Sequence, residues 1–381
     1  NLVNLTEFDL SYSDNLIEIP DLSKAKKLQS VYLSGCKSLC QLHVHSKSLR
    51  EMVLNGCSSL KELSVTSEKM TILNLSSTNI CELKSSIGQL LSLQRLYLSE
   101  TNVESLPSNT KNLSMLTRLW LNDCKKLISL PELPQSLEEL LLNDCLKLVS
   151  LPELPPSLSK LRAFSCISLE TEITERLVLQ HLLQSRIPYT HQQYLNIPEY
   201  CDHADSLEKE EYFIFPGDHV TDKCGFRATE NSITIPYLPK SDLWGFVYCI
   251  ILSKGSIILD CNVWCSIYVD DIKISCNGRS SYYKHITSDH VMFWYQDVDE
   301  FKFGRTSEVY GHFSNMRFIF GLEDDDDEDT IKACGVFPVY EATSGLKLVT
   351  SSGKQISECE SINCEQLLPA SKRRRTSRRP E

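Results

Sequence analysis

The sequence lacks any apolar run long enough to cross a membrane, since no window of about 18 uncharged apolar residues occurs. Basic charge is also scarce. There are 39 lysines and arginines against 50 aspartates and glutamates, and the net charge of −11 argues against non-specific nucleic-acid binding. No basic, apolar, cleavable leader follows Asn1. We therefore expect a folded segment of a longer protein, without nucleic-acid or membrane partners.

Recognisable catalytic patterns are missing as well. The sequence has no glycine-rich phosphate loop, no serine–histidine–aspartate order tied to a nucleophile turn and no metal-ligand spacing. Cys261 and Cys265 lie about 13 Å apart on one face of a predicted strand, which favours core packing over a zinc site. The acidic run from Glu323 to Asp329 is typical of a solvated loop. We expect no enzyme activity, cofactor or metal in this segment.

The first half of the chain is a repeat. Eight segments share the pattern apolar-x-x-apolar-x-apolar, and their third positions are 23, 21, 21, 23, 23, 21 and 21 residues apart. This spacing is typical of leucine-rich repeats, in which each unit forms one short strand and returns along the outside of a coil. The third positions are Leu10, Leu33, Leu54, Leu75, Leu98, Leu121, Leu142 and Ala163. The predicted fold is an α/β-type leucine-rich-repeat solenoid with a curved parallel sheet.

Five of the 16 cysteines occupy one place in this repeat, three residues after the third apolar position. A small side chain there turns inward and donates a hydrogen bond to a backbone carbonyl, as cysteine, serine and threonine all can. The column reads Ser13, Cys36, Cys57, Thr78, Thr101, Cys124, Cys145 and Cys166. We interpret these thiols as structural and unpaired, which favours a reducing compartment. The alternative, a metal held by Cys124, Cys145 and Cys166, lacks a histidine and would have to bridge layers about 4.8 Å apart.

The pattern changes in the second half. Ile173, Leu177, Gln180 and Leu183 follow helical spacing, with Leu182 beside them, and we expect this helix to seal the end of the solenoid. After Glu211 come seven short apolar or alternating runs divided by turn residues, which indicate a separate antiparallel β-sandwich. The predicted units are a solenoid over 1–170, a helical cap and connector over 171–210, the sandwich over 211–345 and a disordered tail over 346–381.

The segments Ser86–Pro107 and Leu33–Leu39 resemble the repeats of plant intracellular immune receptors of the TIR, nucleotide-binding and leucine-rich-repeat type. The second half is similar to the C-terminal jelly-roll and Ig-like domain that follows the repeats in these receptors. Its marks are Phe215-Pro216-Gly217, Ser232-Ile233-Thr234-Ile235, Trp244-Gly245-Phe246, Ser288-Asp289-His290-Val291 and Lys332-Ala333-Cys334-Gly335-Val336. One departure is that Asp218, His219 and Cys224 stand where the family usually has Ser-Glu and a Trp-Phe pair.

The resemblance implies the ligand-sensing region of an immune receptor. It implies that the concave repeat face and the sandwich loops bind a pathogen effector protein, or that they hold an upstream nucleotide-binding domain inactive. NAD hydrolysis by a TIR domain, nucleotide switching and oligomerisation would belong to domains outside this chain. The alternative is an extracellular or cell-surface leucine-rich-repeat interaction module, against which the unpaired thiols argue.

Strand alternation places one residue of each repeat, between its two inward apolar positions, on the concave surface. In three consecutive repeats this column holds Tyr97, Trp120 and Leu141, beside Arg95 and Arg118. Tryptophan, tyrosine and arginine dominate interface energies, so we predict an exposed aromatic and basic patch that binds a protein partner. The predicted partner-binding residues are Tyr32, Arg95, Tyr97, Arg118, Trp120, Leu141 and Arg162. The alternatives are that the sandwich or an upstream domain covers the patch, or that it has no role.

The tail carries a basic cluster on a chain that is otherwise acidic. The cluster consists of Lys372, Arg373, Arg374, Arg375, Arg378 and Arg379. Such a run is typical of a nuclear-import signal, and an inert solubilising tail is the other interpretation. We predict a cytoplasmic protein, with the nucleus as a second location.

Overall fold

The computed structural model describes residues 2–22, 24–184, 212–220, 225–255, 257–258, 262–280, 284–286, 288–298, 312–322, 330–340 and 347–348. The first half contains ten short strands. They are β1 (Glu7–Asp9), β2 (Ser30–Tyr32), β3 (Gln41–His45), β4 (Glu51–Val53), β5 (Glu62–Thr66), β6 (Ile72–Asn74), β7 (Arg95–Tyr97), β8 (Arg118–Trp120), β9 (Glu139–Leu141) and β10 (Lys160–Arg162). Short 3₁₀ helices cover Leu2–Asn4, Ser85–Gln89 and Ser108–Asn112.

Eight of these strands stack in parallel, one from each predicted repeat, in the order β1-β2-β4-β6-β7-β8-β9-β10. β3 and β5 pair separately in the returning halves of two repeats. The middle residue of most stacked strands is fully buried, for example Leu96 and Leu119, and the two outer residues lie on the opposite face. Burying each such leucine contributes about 1.5–3 kcal/mol relative to leaving it exposed. The predicted solenoid is confirmed.

Every repeat leaves its strand through one residue in the left-handed backbone region. The residues are Tyr12, Gly35, Gly56, Ser77, Glu100, Asp123, Asp144 and Ser165, with φ between 56° and 76°. The N–H of this residue is donated to the next repeat. For example, Asp123 donates to the Asn143 carbonyl at 2.6 Å, and Asp144 donates to the Phe164 carbonyl at 2.7 Å. The same turn in all eight units keeps successive coils in one register.

The five cysteines of the inward column donate hydrogen bonds, as predicted. Each Sγ lies 3.0–3.2 Å from the carbonyl oxygen of the third apolar residue one repeat earlier, as Cys57 does from Leu33 O and Cys166 from Leu142 O. Thr78 and Thr101 instead donate to carbonyls of their own repeats, at 2.7 Å. Cys36, Cys57, Cys124, Cys145 and Cys166 are all free thiols, and none of them forms a disulfide.

In the second half, the described residues form a helix followed by twelve strands. They are α1 (Thr171–Gln184), β11 (Tyr212–Pro216), β12 (Phe226–Ala228), β13 (Ser232–Pro239), β14 (Leu243–Leu252), β15 (Ile257–Ile258), β16 (Asn262–Val269), β17 (Ile272–Ser280), β18 (Lys284–His285), β19 (His290–Asp297), β20 (His312–Leu322), β21 (Ile331–Tyr340) and β22 (Lys347–Leu348). One antiparallel layer has the order β11-β19-β14-β21-β12 and the other β13-β20-β16-β17. Aromatic side chains such as Tyr248, Trp294 and Phe320 fill the core between them. The predicted antiparallel region is confirmed.

The sandwich is not separate from the solenoid, contrary to expectation. β11 pairs in parallel with β10, so a single 14-stranded sheet runs from β1 into the sandwich. All five residues of β11 are buried. Phe213 and Phe215 join the core of the solenoid, whereas Tyr212 and Ile214 join the core of the sandwich. The edge of the last repeat is thus closed by backbone pairing, which removes its unpaired N–H and C=O groups.

Helix α1 also differs from the prediction in the face that it buries. The predicted residues, such as Ile173 and Leu177, are half-buried, and the fully buried set is shifted to include Glu175, Val178 and Leu179. The shift arises because α1 packs against β11 and β19, a surface that helical spacing alone does not reveal.

The last turn of the solenoid is completed by a histidine from the sandwich. In seven repeats the left-handed residue donates its N–H to a backbone carbonyl, but the N–H of Ser165 is donated to Nε2 of His290 at 3.0 Å. Nδ1 of His290 lies 2.7 Å from the Ser288 carbonyl oxygen. Nε2 must therefore be an acceptor and Nδ1 a donor, so this fully buried imidazole is neutral. His290 takes the place of the carbonyl that a ninth repeat would supply.

Candidate protein-binding surface

The centre of the concave face is an aromatic pair. Tyr97 and Trp120 are register partners on β7 and β8, and their ring centroids lie 4.6 Å apart with the planes tilted by 54°. Both side chains are half-buried, so part of each ring remains accessible. The period of two places Arg95 and Arg118 on the same face of the same strands. We call these four residues the central strip.

An incomplete charge network borders the central strip. Glu139 lies 3.7 Å from Arg118 and 3.3 Å from Lys160, measured between the closest nitrogen and oxygen atoms. Within the described residues, Arg95 has no acidic partner. In this column of register partners, Glu139 is the one carboxylate beside Arg95, Arg118 and Lys160, and it lies close to the last two.

The other predicted residue near the start of the solenoid, Tyr32, lies apart from the central strip. Its hydroxyl donates to Oε2 of Glu51 at 2.9 Å. Tyr32 is half-buried and is separated from β7 by two strands, β4 and β6. The structure therefore does not bring Tyr32 together with Tyr97 and Trp120.

Leu141 and Arg162 were expected to be exposed, and both are buried within the chain, with exposed fractions of 7% and 5%. The Arg162 Nε donates to the hydroxyl of Tyr212, and the guanidinium carbon lies 5.2 Å from the centre of the Tyr212 ring. Lys160 lies 5.7 Å from the same ring. Arg162 is therefore covered by the sandwich, which was one of the alternatives to binding an external partner. The accessible part of the predicted patch is the central strip.

The role of Tyr212 and His290, which join the sandwich to the last repeat, was not predicted from the sequence. A signal for the first was available, since the run Tyr212–Pro216 is apolar throughout and so indicates a strand buried on both faces. No local signal marks His290, because its partner Ser165 lies 125 residues earlier.

Several other predicted sites give no binding geometry. No cluster of three or more potential metal ligands occurs in the described ranges. Cys265 is buried in the sandwich core, whereas Cys261 and the acidic run 323–329 lie outside the described residues. The basic cluster 372–379 also lies outside them. No described helix is long and apolar enough to span a bilayer.

The stacked strands, the inward thiols and the repeated left-handed turn define a leucine-rich-repeat protein. Part of the chain resembles plant disease resistance proteins of Arabidopsis thaliana. It is 60% identical over 42 residues to both Disease resistance protein RPP4 and Disease resistance protein RPP5, and 47% identical over 49 residues to Disease resistance protein RML1B. These matches cover 11–12% of this chain and only 3–5% of the relatives' own length.

Two solved structures of leucine-rich-repeat proteins are similar to part of the chain. A leucine-rich-repeat protein of Leptospira interrogans is 23% identical with a TM-score of 0.25, covering 43% of this chain and 56% of that one. The leucine-rich repeat domain of the type III effector XopL is 22% identical with a TM-score of 0.27, covering 42% and 62%. No family model matches the chain.

Proposed function

We propose that this chain is the ligand-sensing region of an intracellular plant immune receptor of the TIR, nucleotide-binding and leucine-rich-repeat type. In this proposal the central strip binds a pathogen effector protein, and the sandwich corresponds to the C-terminal jelly-roll and Ig-like domain. The observation that carries the proposal is the half-exposed Tyr97–Trp120 pair beside Arg95. Rigid aromatic side chains next to an arginine are the usual energetic centre of a protein interface.

The partial similarity to disease resistance proteins supports the immune role. The thiols support an intracellular location, because Cys57, Cys124 and Cys166 are each engaged in a buried hydrogen bond to a carbonyl rather than in a disulfide. An extracellular interaction module of the same fold is the second candidate. Its cysteines would be expected to pair.

The remaining expectations belong to the same proposal. The chain acts by binding and has no enzymatic activity or cofactor of its own, while NAD hydrolysis, nucleotide switching and oligomerisation reside in upstream domains. It works in the cytoplasm, and the basic tail directs a fraction to the nucleus. The buried contact between Arg162 and Tyr212 shows how a concave residue can be occupied internally. A nucleotide-binding domain held on the central strip is the corresponding resting state.

The test is a binding screen of the purified chain against a panel of secreted plant-pathogen effector proteins. For an effector that binds the central strip, Trp120→Ala should weaken affinity by about 2 kcal/mol, or about 30-fold, because a central aromatic anchor is removed. The measurement is the dissociation constant from biolayer interferometry.

Tyr237→Ala is the matched control, because Tyr237 is an exposed aromatic residue of the sandwich at 58% exposure. It should leave affinity unchanged. The proposal is wrong if no effector binds, or if every effector that binds does so equally well to Trp120→Ala.

A further inference from the structure

The central strip holds positive charge that its surroundings do not balance. Arg95 and Arg118 are register partners on neighbouring strands, about 4.8 Å apart. The other register partner of Arg95 is Ile72, which is apolar, and Glu139 is shared between Arg118 and Lys160. Like charges side by side on a sheet are unfavourable unless an anion lies between them. This pairing stands out in a chain whose net charge is −11.

A missing hydrogen-bond acceptor lies in the same strip. The indole N–H of Trp120 is buried, and within the described residues it has no acceptor. The ring of Tyr97 is tilted against that of Trp120. A carbonyl or carboxylate oxygen of a ligand is the kind of group that would supply this acceptor. The arginines and the indole N–H are all hydrogen-bond donors, so the same kind of ligand suits them: a carboxylate next to an apolar group.

The concave face has the opposite sign near the start of the solenoid. Glu7 and Asp9 on β1 are exposed, and Glu51 on β4 is bound only by the hydroxyl of Tyr32 among the described residues. β1 is four strands away from β7, or about 20 Å at the usual strand spacing. A ligand that follows the concave face would thus meet carboxylates first and arginines later.

We propose, on the basis of the protein-binding role above, that the central strip takes an acidic segment of its protein partner. The segment places a carboxylate at Arg95 and Arg118 and an apolar or aromatic side chain against Tyr97 and Trp120. Residues of the partner that extend toward β1 are basic. The partner is thereby selected by its charge order along the solenoid.

The test compares two synthetic peptides of equal length. One combines glutamate with tyrosine and glycine, and the other has lysine in place of every glutamate. Dissociation constants are measured by fluorescence anisotropy with the full chain, at low and at high salt. We expect the acidic peptide to bind at least about tenfold more tightly than the basic one, with the difference shrinking as salt is added. Trp120 emission should change on binding.

Charge reversal supplies the decisive comparison. Arg95→Glu combined with Arg118→Glu should reverse the preference between the peptides. Lys125→Glu combined with Lys126→Glu makes the same change in net charge on an exposed turn and should leave the preference intact. Arg95→Gln with Arg118→Gln, which removes charge without adding repulsion, should abolish the preference. Circular dichroism verifies that each variant is folded.

The inference is overturned if the two peptides bind equally, if neither binds at millimolar concentration, or if the lysine control alters the preference as much as the arginine pair. It is also overturned if sedimentation shows that a second copy of the chain occupies the concave face. An effector that needs Trp120 but is indifferent to the arginine substitutions would support the proposed function and reject this inference. If the chain prefers the acidic peptide but binds no effector, this inference is supported and the proposed function is rejected.

Discussion

At the scale of single residues, the inward thiols behave as hydrogen-bond donors rather than as reactive groups. Burial raises the pKa of the Cys57 and Cys124 thiols to about 11. At pH 8 only about a thousandth of such a thiol is ionised, and the thiolate is the nucleophile. We therefore expect Cys57 and Cys124 to resist a thiol-modifying reagent in the native chain, while the exposed Cys40 and Cys81 react.

Mass spectrometry after labelling at pH 8 measures this difference residue by residue. Unfolding in urea is the control, since all four cysteines should then be labelled. Native labelling of Cys124 as fast as Cys40 would contradict the buried donor role.

The inward column could be predicted from the sequence because it depends only on position within one repeat. The exposure of Leu141 and Arg162 could not, although both occupy the same concave column as Trp120. Their burial increases toward the sandwich, and the contact of Arg162 is with Tyr212, 50 residues later in the chain. A side chain's face follows from local periodicity, but its accessibility depends on which distant segment packs there.

At the scale of the element, the left-handed turn is the feature that each repeat must accommodate. A Cβ added at Gly56 would come no closer than 3.6 Å to its neighbours, so the cost of Gly56→Ala is conformational rather than steric. With φ at 76°, we expect a loss of about 1–2 kcal/mol in the free energy of unfolding. Urea denaturation measures the change.

Asp123 occupies the equivalent turn position in a later repeat, with φ at 58°, so Asp123→Gly is the matched variant. It relieves the strain of a side chain in this region but increases the entropy of the unfolded chain, so we expect a change within about 0.5 kcal/mol. Equal effects of the two substitutions would show that the turn residue is not what limits stability.

β14, β20 and β21 lie on apolar or alternating runs of the sequence, as expected. β17 was not predicted, because it continues through Asn277-Gly278-Arg279, residues that are typical of a turn. The pairing of β10 with β11 was not predictable, since the backbone groups that join them carry no sequence signature. The same holds for the orientation of α1. Its buried polar residue His181 contacts the Leu158 carbonyl oxygen at 2.7 Å, a partner that helical spacing does not identify.

At the scale of the whole molecule, the sandwich acts as the ninth repeat of the solenoid. β11 provides the next strand, and the Ile214 carbonyl accepts the N–H of Ala163 at 2.9 Å, as Arg162 accepts that of Leu142 in the preceding repeat. His290 then completes the turn. Because each repeat is stabilised by contacts with its neighbours, the stability of the last repeat depends on the contacts at this junction. We therefore expect repeat 8 to respond to changes in the sandwich.

His290→Phe tests this dependence while keeping a ring of similar size in the core. The N–H of Ser165 then loses its acceptor in a buried site, which should lower the free energy of unfolding by about 1–3 kcal/mol. Hydrogen exchange should accelerate at the amides of Ala163 and Ser165 and remain unchanged at Met52, which lies five strands away from β10 in the sheet. His43→Phe, on the exposed face of β3, is the control and should alter neither site. If Ser165 stays protected in His290→Phe, the pairing of β10 with β11 closes the solenoid without help from the imidazole.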